Sequence, residues 1–211
     1  MSRVSWLKLA FFLLCLIPLG HLLRRAATTA LGANPIEAIT HSTGDWTLRF
    51  LLITLAVTPL RKITSQFWLI RFRRMFGLFA FFYGSLHFLT YFWLDQNFNL
   101  HSIAKDVYKR PFITAGFTGF GLLIPLAVTS TRKMIQRLGG RRWQWLHRLI
   151  HVSATAGVIH YLWLVKKDIS KPVEYASVLG ILLGYRILFW AVPALAPKCK
   201  RALATASVSA D

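Results

Sequence analysis

The sequence predicts an all-α integral membrane protein, a six-helix transmembrane bundle with both termini cytoplasmic. Three observations carry this reading. Mean hydropathy is +0.48; only 16% of the 211 residues are charged while 55% are hydrophobic; and the apolar residues gather in six runs punctuated by basic clusters. A soluble domain carries nearer a quarter charged residues, and abundant Leu, Phe and Trp exclude disorder. Six spans of about 20 residues use roughly 120 residues, leaving short loops and a single domain over 1–211. The formal charge of +19, from 26 Lys+Arg against 7 Asp+Glu, would suggest nucleic acid on a soluble chain. Between apolar runs it points instead to a lipid bilayer and to no nucleic-acid partner.

The first run, 6–23, follows a basic start, as a signal peptide would. Pro18-Leu19-Gly20-His21 lacks a small-x-small cleavage site, so the run reads as span one. Asn34-Pro35 then reads as a helix start, Asn34 capping and Pro35 in the first turn. With Gly44 as a stop, a short surface helix is expected over 34–44. Span two, 45–60, is the weakest: short and interrupted by Arg49, it barely crosses the hydrocarbon. Spans three to six follow at 75–94, 112–130, 143–165 and 174–193. Cys15 lies in an apolar run and Cys199 in the basic tail, with no C-x-x-C-H for covalent haem attachment. No internal repeat is evident.

Charge sets the orientation. Fifteen Lys/Arg fall on the side of the N-terminus, from Arg3 to Lys198, Lys200 and Arg201; eight fall on the other side, and Arg49, Arg148 and Arg186 lie within spans. Positive charge marks the cytoplasm. The acids sort the opposite way, only Asp211 joining the basic side.

Four of the seven histidines, His87, His147, His151 and His160, fall within spans, where polar residues are costly and usually functional. Imidazole there serves metal or haem ligation or proton transfer. No carboxylate lies mid-span to complete a proton relay, so ligation is favoured. Spans three and five both run outward. His87 lies about 12 Å inside Asp95, and His160 about 9 Å inside Lys166, at 1.5 Å per residue. Two histidines at nearly equal depth can clamp one haem b iron, and Gly84, Ser85 and Gly157 leave space for a flat ring. The plainer alternative is a buried histidine bonded to a neighbouring helix carbonyl. His147 lies about 20 Å lower and is a candidate ligand for a second haem, or a helix-end histidine at the lipid interface. His151, one turn above it, is a substitute for it. Arg49 near the outer edge, and Arg148 and Arg186 near the inner one, could meet a haem propionate or lipid phosphate, or snorkel to headgroups. The span-end tryptophans read as interface anchors.

Extended stretches carry a resemblance. Leu31-Gly32-Ala33-Asn34-Pro35-Ile36-Glu37, His41-Ser42-Thr43-Gly44, the run Leu51 to Leu60, Leu69-Ile70-Arg71-Phe72-Arg73-Arg74, Leu86-His87, Arg110-Pro111-Phe112, Leu126 to Thr131, Trp143-Gln144-Trp145-Leu146-His147 and Ile159-His160-Tyr161-Leu162-Trp163 resemble the MsrQ family, over nearly the whole chain beyond span one. The resemblance implies a haem b membrane subunit of the bacterial inner membrane, related to the ferric-reductase and NADPH-oxidase transmembrane domain. Such a subunit passes respiratory-chain electrons from quinol to MsrP, a periplasmic molybdenum-cofactor enzyme reducing methionine sulfoxide in oxidised proteins. His87 and His160 match the haem iron ligands and His147 the third family histidine. Where oxidase relatives carry a lower partner on span three, this chain has Arg73. The family also carries FMN, whose phosphate the basic loops 61–74 and 132–142 could hold, with no residue assigned. His41 and the 34–44 helix offer an outer docking or quinone-side element, or a solvated loop. The rival functions are a stand-alone transmembrane metal reductase and a non-redox transporter or assembly factor.

Overall fold

The computed structural model describes residues 3–195, and every described element is helical. Lys198, Lys200, Arg201 and Asp211, used above to place the C-terminus, lie outside the described residues, as does Cys199. Helix α1 spans Arg3–Ala27 and contains Pro18. A proline inside a helix frees backbone groups that need partners in an apolar medium. Here the Tyr83 hydroxyl accepts from Leu19 N at 3.2 Å and donates to the Cys15 carbonyl at 2.8 Å, bracketing the proline.

Helix α2 runs unbroken over Pro35–Thr64. The Asn34 side chain accepts from Glu37 N at 3.2 Å and Pro35 takes the first turn, as expected. The stop expected at Gly44 does not occur, so the short surface helix and span two are one 30-residue element. Glycine costs a helix only about 1 kcal/mol, which tertiary packing overrides. Leu51, Leu55, Phe50 and Leu52 of α2 are buried against the neighbouring helices. Its buried threonines Thr43 and Thr54, and the half-buried Thr47, are accommodated because each of these hydroxyls bonds a carbonyl one turn back: Thr43 to Ile39, Thr47 to Thr43, Thr54 to Phe50. Its C-terminal cap is Ser65, left-handed at φ 57.

Helix α3, Ile70–Leu89, is preceded by a 3₁₀ turn, Phe67–Leu69, and runs into a π-helical turn, Thr90–Asp95. Beyond it, α4 (Leu100–Lys109) is capped by Asn99 and was not expected from the sequence. Pro111 opens α5, Pro111–Val128. Two short basic helices, α6 (Arg132–Leu138) and α7 (Gly140–Leu146), lead to α8 (Leu149–Leu164) and α9 (Ser170–Leu195). The single helix expected over 143–165 is therefore broken at His147 and Arg148. Trp143 explains the break: its indole donates to the Thr129 carbonyl at 2.9 Å and its ring stacks on His147, tying the α7 end to α5.

Among the described residues, four helices are long and apolar enough to cross a membrane: Trp6–Ala27, Phe67–Asp95, Pro111–Val128 and Ser170–Phe189. Helices α2 and α8 are not in that set. They are instead the inner members of two tightly packed pairs, α2 with α3 and α5 with α8. The α5–α8 pair closes through small residues, Gly119 meeting the Ser153 carbonyl and the Ser153 hydroxyl donating to the Gly119 carbonyl at 2.7 Å.

Candidate functional site

Each helix pair seats one histidine in the same way. His87 of α3 points across to α2, and its Nδ1–H donates to the Thr40 carbonyl at 3.0 Å. His160 of α8 points across to α5, and its Nδ1–H donates to the Phe112 carbonyl at 2.6 Å. Four residues beyond each acceptor stands a glycine against the ring. A Cβ on Gly44 would lie 3.1 Å from His87, and one on Gly116 would lie 2.8 Å from His160. Each histidine is also preceded by a glycine three residues earlier, Gly84 and Gly157, facing Thr47 with Phe120 and Leu48 respectively. The two seats are thus built from one pattern used twice.

The seats face each other. The ring centres of His87 and His160 are 6.1 Å apart, across a cavity of about 640 Å³ enclosed by α2, α3, α5 and α8. Leu51, Phe88, Phe120 and Leu123 line its apolar depth; Glu37, His41, Asp45, Asp95 and Arg110 stand at its polar end. The volume lies in the range of cofactor sites, about 300–1,000 Å³.

These residues fit a bis-imidazole haem. With Nδ1–H committed to a carbonyl, each neutral ring presents an Nε2 lone pair, the tautomer ligation requires. An imidazole–metal bond of about 2.0–2.1 Å, plus roughly 1.1 Å from ring nitrogen to ring centre, puts two opposed ligands about 6 Å apart centre to centre. The two readings of a buried histidine are therefore compatible: the carbonyl bond leaves Nε2 as the nitrogen free to ligate. Among the described residues there is no group of three or more His, Cys, Asp or Glu fit to hold a bare metal ion.

The other sequence candidates lie elsewhere. Arg49 donates to the Tyr175 hydroxyl at 3.0 Å and sits over the Trp46 ring at 4.6 Å, away from the cavity. His147 stacks on Trp143 with centres 4.0 Å apart. The Thr129 hydroxyl donates to the Pro125 carbonyl at 2.6 Å and so accepts from His147 Nε2 at 3.2 Å. His151 donates from Nδ1 to the Arg148 carbonyl at 2.7 Å and receives Arg186 on Nε2, so both ring nitrogens are engaged. Sequence reasoning missed Thr40, Phe112, Gly44 and Gly116, which build the two seats, and it missed Arg110. Arg110 lines the cavity and is held by Asp106 at 3.4 Å, itself bonded by the Tyr91 hydroxyl and Gln96. Its place just before Pro111, at the start of α5, was the available signal.

Comparison with known proteins gives the family. The family described as "Ferric reductase like transmembrane component" matches residues 43–158, which include both seats but for Thr40 and His160. A protein-methionine-sulfoxide reductase heme-binding subunit MsrQ from Herminiimonas arsenicoxydans is 53% identical over 191 residues, covering 90% of this chain and 87% of the relative. The chain belongs to the MsrQ family. An MsrQ from Azospira oryzae is 54% identical over 187 residues, 88% of this chain and 80% of its own length. One from Rhodospirillum rubrum is 50% identical over 181 residues, covering 86% and 87%. The alignments span nearly the whole chain, so MsrQ-family membership extends beyond the ferric-reductase-like core.

Proposed function

We propose that this chain is the haem-binding membrane subunit of a methionine sulfoxide reductase system, holding one haem b between His87 and His160. Electrons reach it from quinol, and it delivers them to a separate MsrP-like molybdenum-cofactor enzyme in the periplasm. The chain itself performs no sulfoxide chemistry. The observation that carries this reading is the 6.1 Å separation of two imidazoles whose Nδ1 atoms are both committed to backbone carbonyls. When bound, haem supplies a one-electron iron couple. The protein's part is to aim both Nε2 atoms, to exclude water with Phe88, Phe120 and Leu123, and to set charge at the polar end through Arg110.

The topology proposed with it has six spans, α2 and α8 completing the four apolar ones, with both termini in the cytoplasm of an inner-membrane protein. The excess of Lys/Arg on the N-terminal side supports that orientation. It places the His87–His160 cavity near the periplasmic face, where a soluble partner docks. FMN and a second haem on His147 stay part of the family expectation, without a seat comparable to the one at His87.

Pyridine haemochrome titration of wild type, His87→Ala, His160→Ala and His101→Ala tests the site. The first two variants lose this haem; His101, exposed on α4, is dispensable. Equal loss in all three defeats the assignment. Sulfoxide reduction restored by added MsrP supports the subunit role, whereas ferric chelate reduction without any partner supports the metal-reductase alternative, which the ferric-reductase match makes worth testing.

A further inference from the structure

The mouth of the histidine cavity is divided by charge, and the division follows the two helix pairs. The α2–α3 pair lines the polar end with acids, Glu37 and Asp45 from α2 and Asp95 from the π-helical end of α3. No Lys or Arg of that pair lines the cavity; Arg49, one turn below Asp45, is turned away to Tyr175 and Trp46. The α5–α8 pair lines it with Arg110, at the start of α5. Exposed lysines extend the basic half on that side. Lys105 and Lys109 lie on α4, which packs on α5, and Lys166, Lys167 and Lys171 run from the end of α8 into the first turn of α9, beginning two residues after the cavity-lining Leu164. Of the acids on this side, Asp106 is committed to Arg110, Tyr91 and Gln96 and Asp168 accepts from Ser170 N at 3.0 Å, while Glu174 is exposed. The ion pairs found among the described residues are His41 with Glu37 and Arg110 with Asp106, so these five lysines are in none.

Helix α4 shows how the basic half is presented. Its inner face is fixed by the buried Ile103 and by Asp106, whose carboxylate ties α4 to Tyr91, Gln96 and Arg110. Lys105 and Lys109, one turn apart, share an outer ridge with His101, and all three are exposed. Ten residues of helix reach only about 15 Å, so α4 does not span. It lies between the end of α3 and the start of α5 and carries its basic ridge up to Arg110 at the mouth.

We propose that this charge-split rim is the docking surface for the separate reductase subunit, a soluble protein whose own face is divided the opposite way: basic toward α2 and the end of α3, acidic toward α4 and the α8–α9 connection. This rests on the functional reading above and adds to it where the partner sits and how it is turned. A layer of anionic lipid headgroups would meet the lysines but be repelled by Glu37, Asp45 and Asp95, whereas a protein face carrying both signs matches both halves. Because the division is centred on the cavity, the matched orientation brings the partner's cofactor over the His87–His160 site, and the reversed one sets like charges together. Complementarity of this kind raises the encounter rate and fixes orientation more than it adds affinity. At each productive encounter one electron passes, the haem being oxidised and the partner's cofactor reduced.

The test uses the full-length haem-loaded protein in detergent, reduced and then mixed with the purified reductase subunit, with re-oxidation followed by stopped-flow absorbance across a range of salt. Wild type is expected to show a second-order rate that falls as salt rises. Lys105→Glu with Lys109→Glu should lower the low-salt rate about tenfold or more, and Asp95→Lys about threefold or more, within the range of electrostatic steering. Both differences should close by about 0.5 M salt, where long-range attraction is screened. Lys133→Glu, which alters an exposed lysine of α6 at the other end of the bundle, should behave as wild type. Re-oxidation by dioxygen, a small uncharged oxidant, should be equal in all variants and certifies that the haem site is intact. Salt-independent transfer, or rim variants that transfer as fast as wild type, overturns the proposal and leaves the functional reading standing. Rim variants with unchanged transfer whose thermal midpoint no longer rises with phosphatidylglycerol assign the lysines to lipid headgroups and overturn it too. If the reductase subunit re-oxidises wild-type haem at no salt concentration, the functional reading falls and the docking surface with it.

Discussion

Gly116 leaves His160 no room for a methyl group: a Cβ there would lie 2.8 Å from the ring's Nδ1, the atom that bonds the Phe112 carbonyl. The contact is with a ring held by its bond to the Phe112 carbonyl, not with a flexible chain tip. Gly116→Ala must therefore push the imidazole off its carbonyl. Haem retention is expected to fall roughly tenfold or more, the range for losing a ligand's supporting contact. Gly44→Ala, at 3.1 Å from His87, should do the same more weakly. Gly121→Ala, with nothing within 4 Å, should leave the haem absorbance per chain unchanged.

The paired seats show what a sequence reveals and what it hides. Depth counting along spans three and five brought His87 and His160 together because two helices running the same way report height directly. The glycines opposite them were invisible to that argument. Gly44 read as a helix stop because local propensity carries no knowledge of the imidazole that packs there. The break at His147 and Arg148 was equally hidden, since 143–165 is apolar without an internal proline and the tie from Trp143 to Thr129 crosses 14 residues. Arg110 was counted for topology, and its place at the cavity emerged only when Asp106 and Pro111 fixed the start of α5.

Arg110 adds positive charge at the polar end of the cavity. A nearby cation favours the reduced, less positive iron, so its removal should favour the ferric form. Arg110→Gln is accordingly expected to lower the midpoint potential by tens of millivolts, about 59 mV being a tenfold change for a one-electron couple. Redox titration of the Soret band checks this. Arg49→Gln, which alters a residue facing Tyr175 and Trp46, should shift the potential much less. A rise in potential for Arg110→Gln would contradict the charge argument.

Tyr83 joins α3 to α1 where Pro18 interrupts the helix. Its buried hydroxyl makes two bonds, to Leu19 N and the Cys15 carbonyl, and both backbone groups lose a partner in Tyr83→Phe. The expected cost is about 1–3 kcal/mol, read as a lower thermal midpoint in detergent. Haem content at the protein's working temperature should not change, because neither seat uses α1. Haem loss without a fall in the midpoint would place Tyr83 in the site and refute a purely architectural role.

His147 stands apart from the cavity between His87 and His160. It stacks on Trp143 and bonds Thr129, and it does not line the cavity that His87 and His160 share. Removing it should leave that haem in place, even if another cofactor or the turn between α7 and α8 is disturbed. His147→Ala is therefore expected to retain at least one haem equivalent with the low-spin spectrum of a bis-histidine centre. The discriminating comparison is the double variant His147→Ala with His160→Ala, which should lose that spectrum as completely as His160→Ala alone. If His147→Ala by itself abolished the low-spin signal in folded protein, the ligand pair would have to be redrawn with His147 in it.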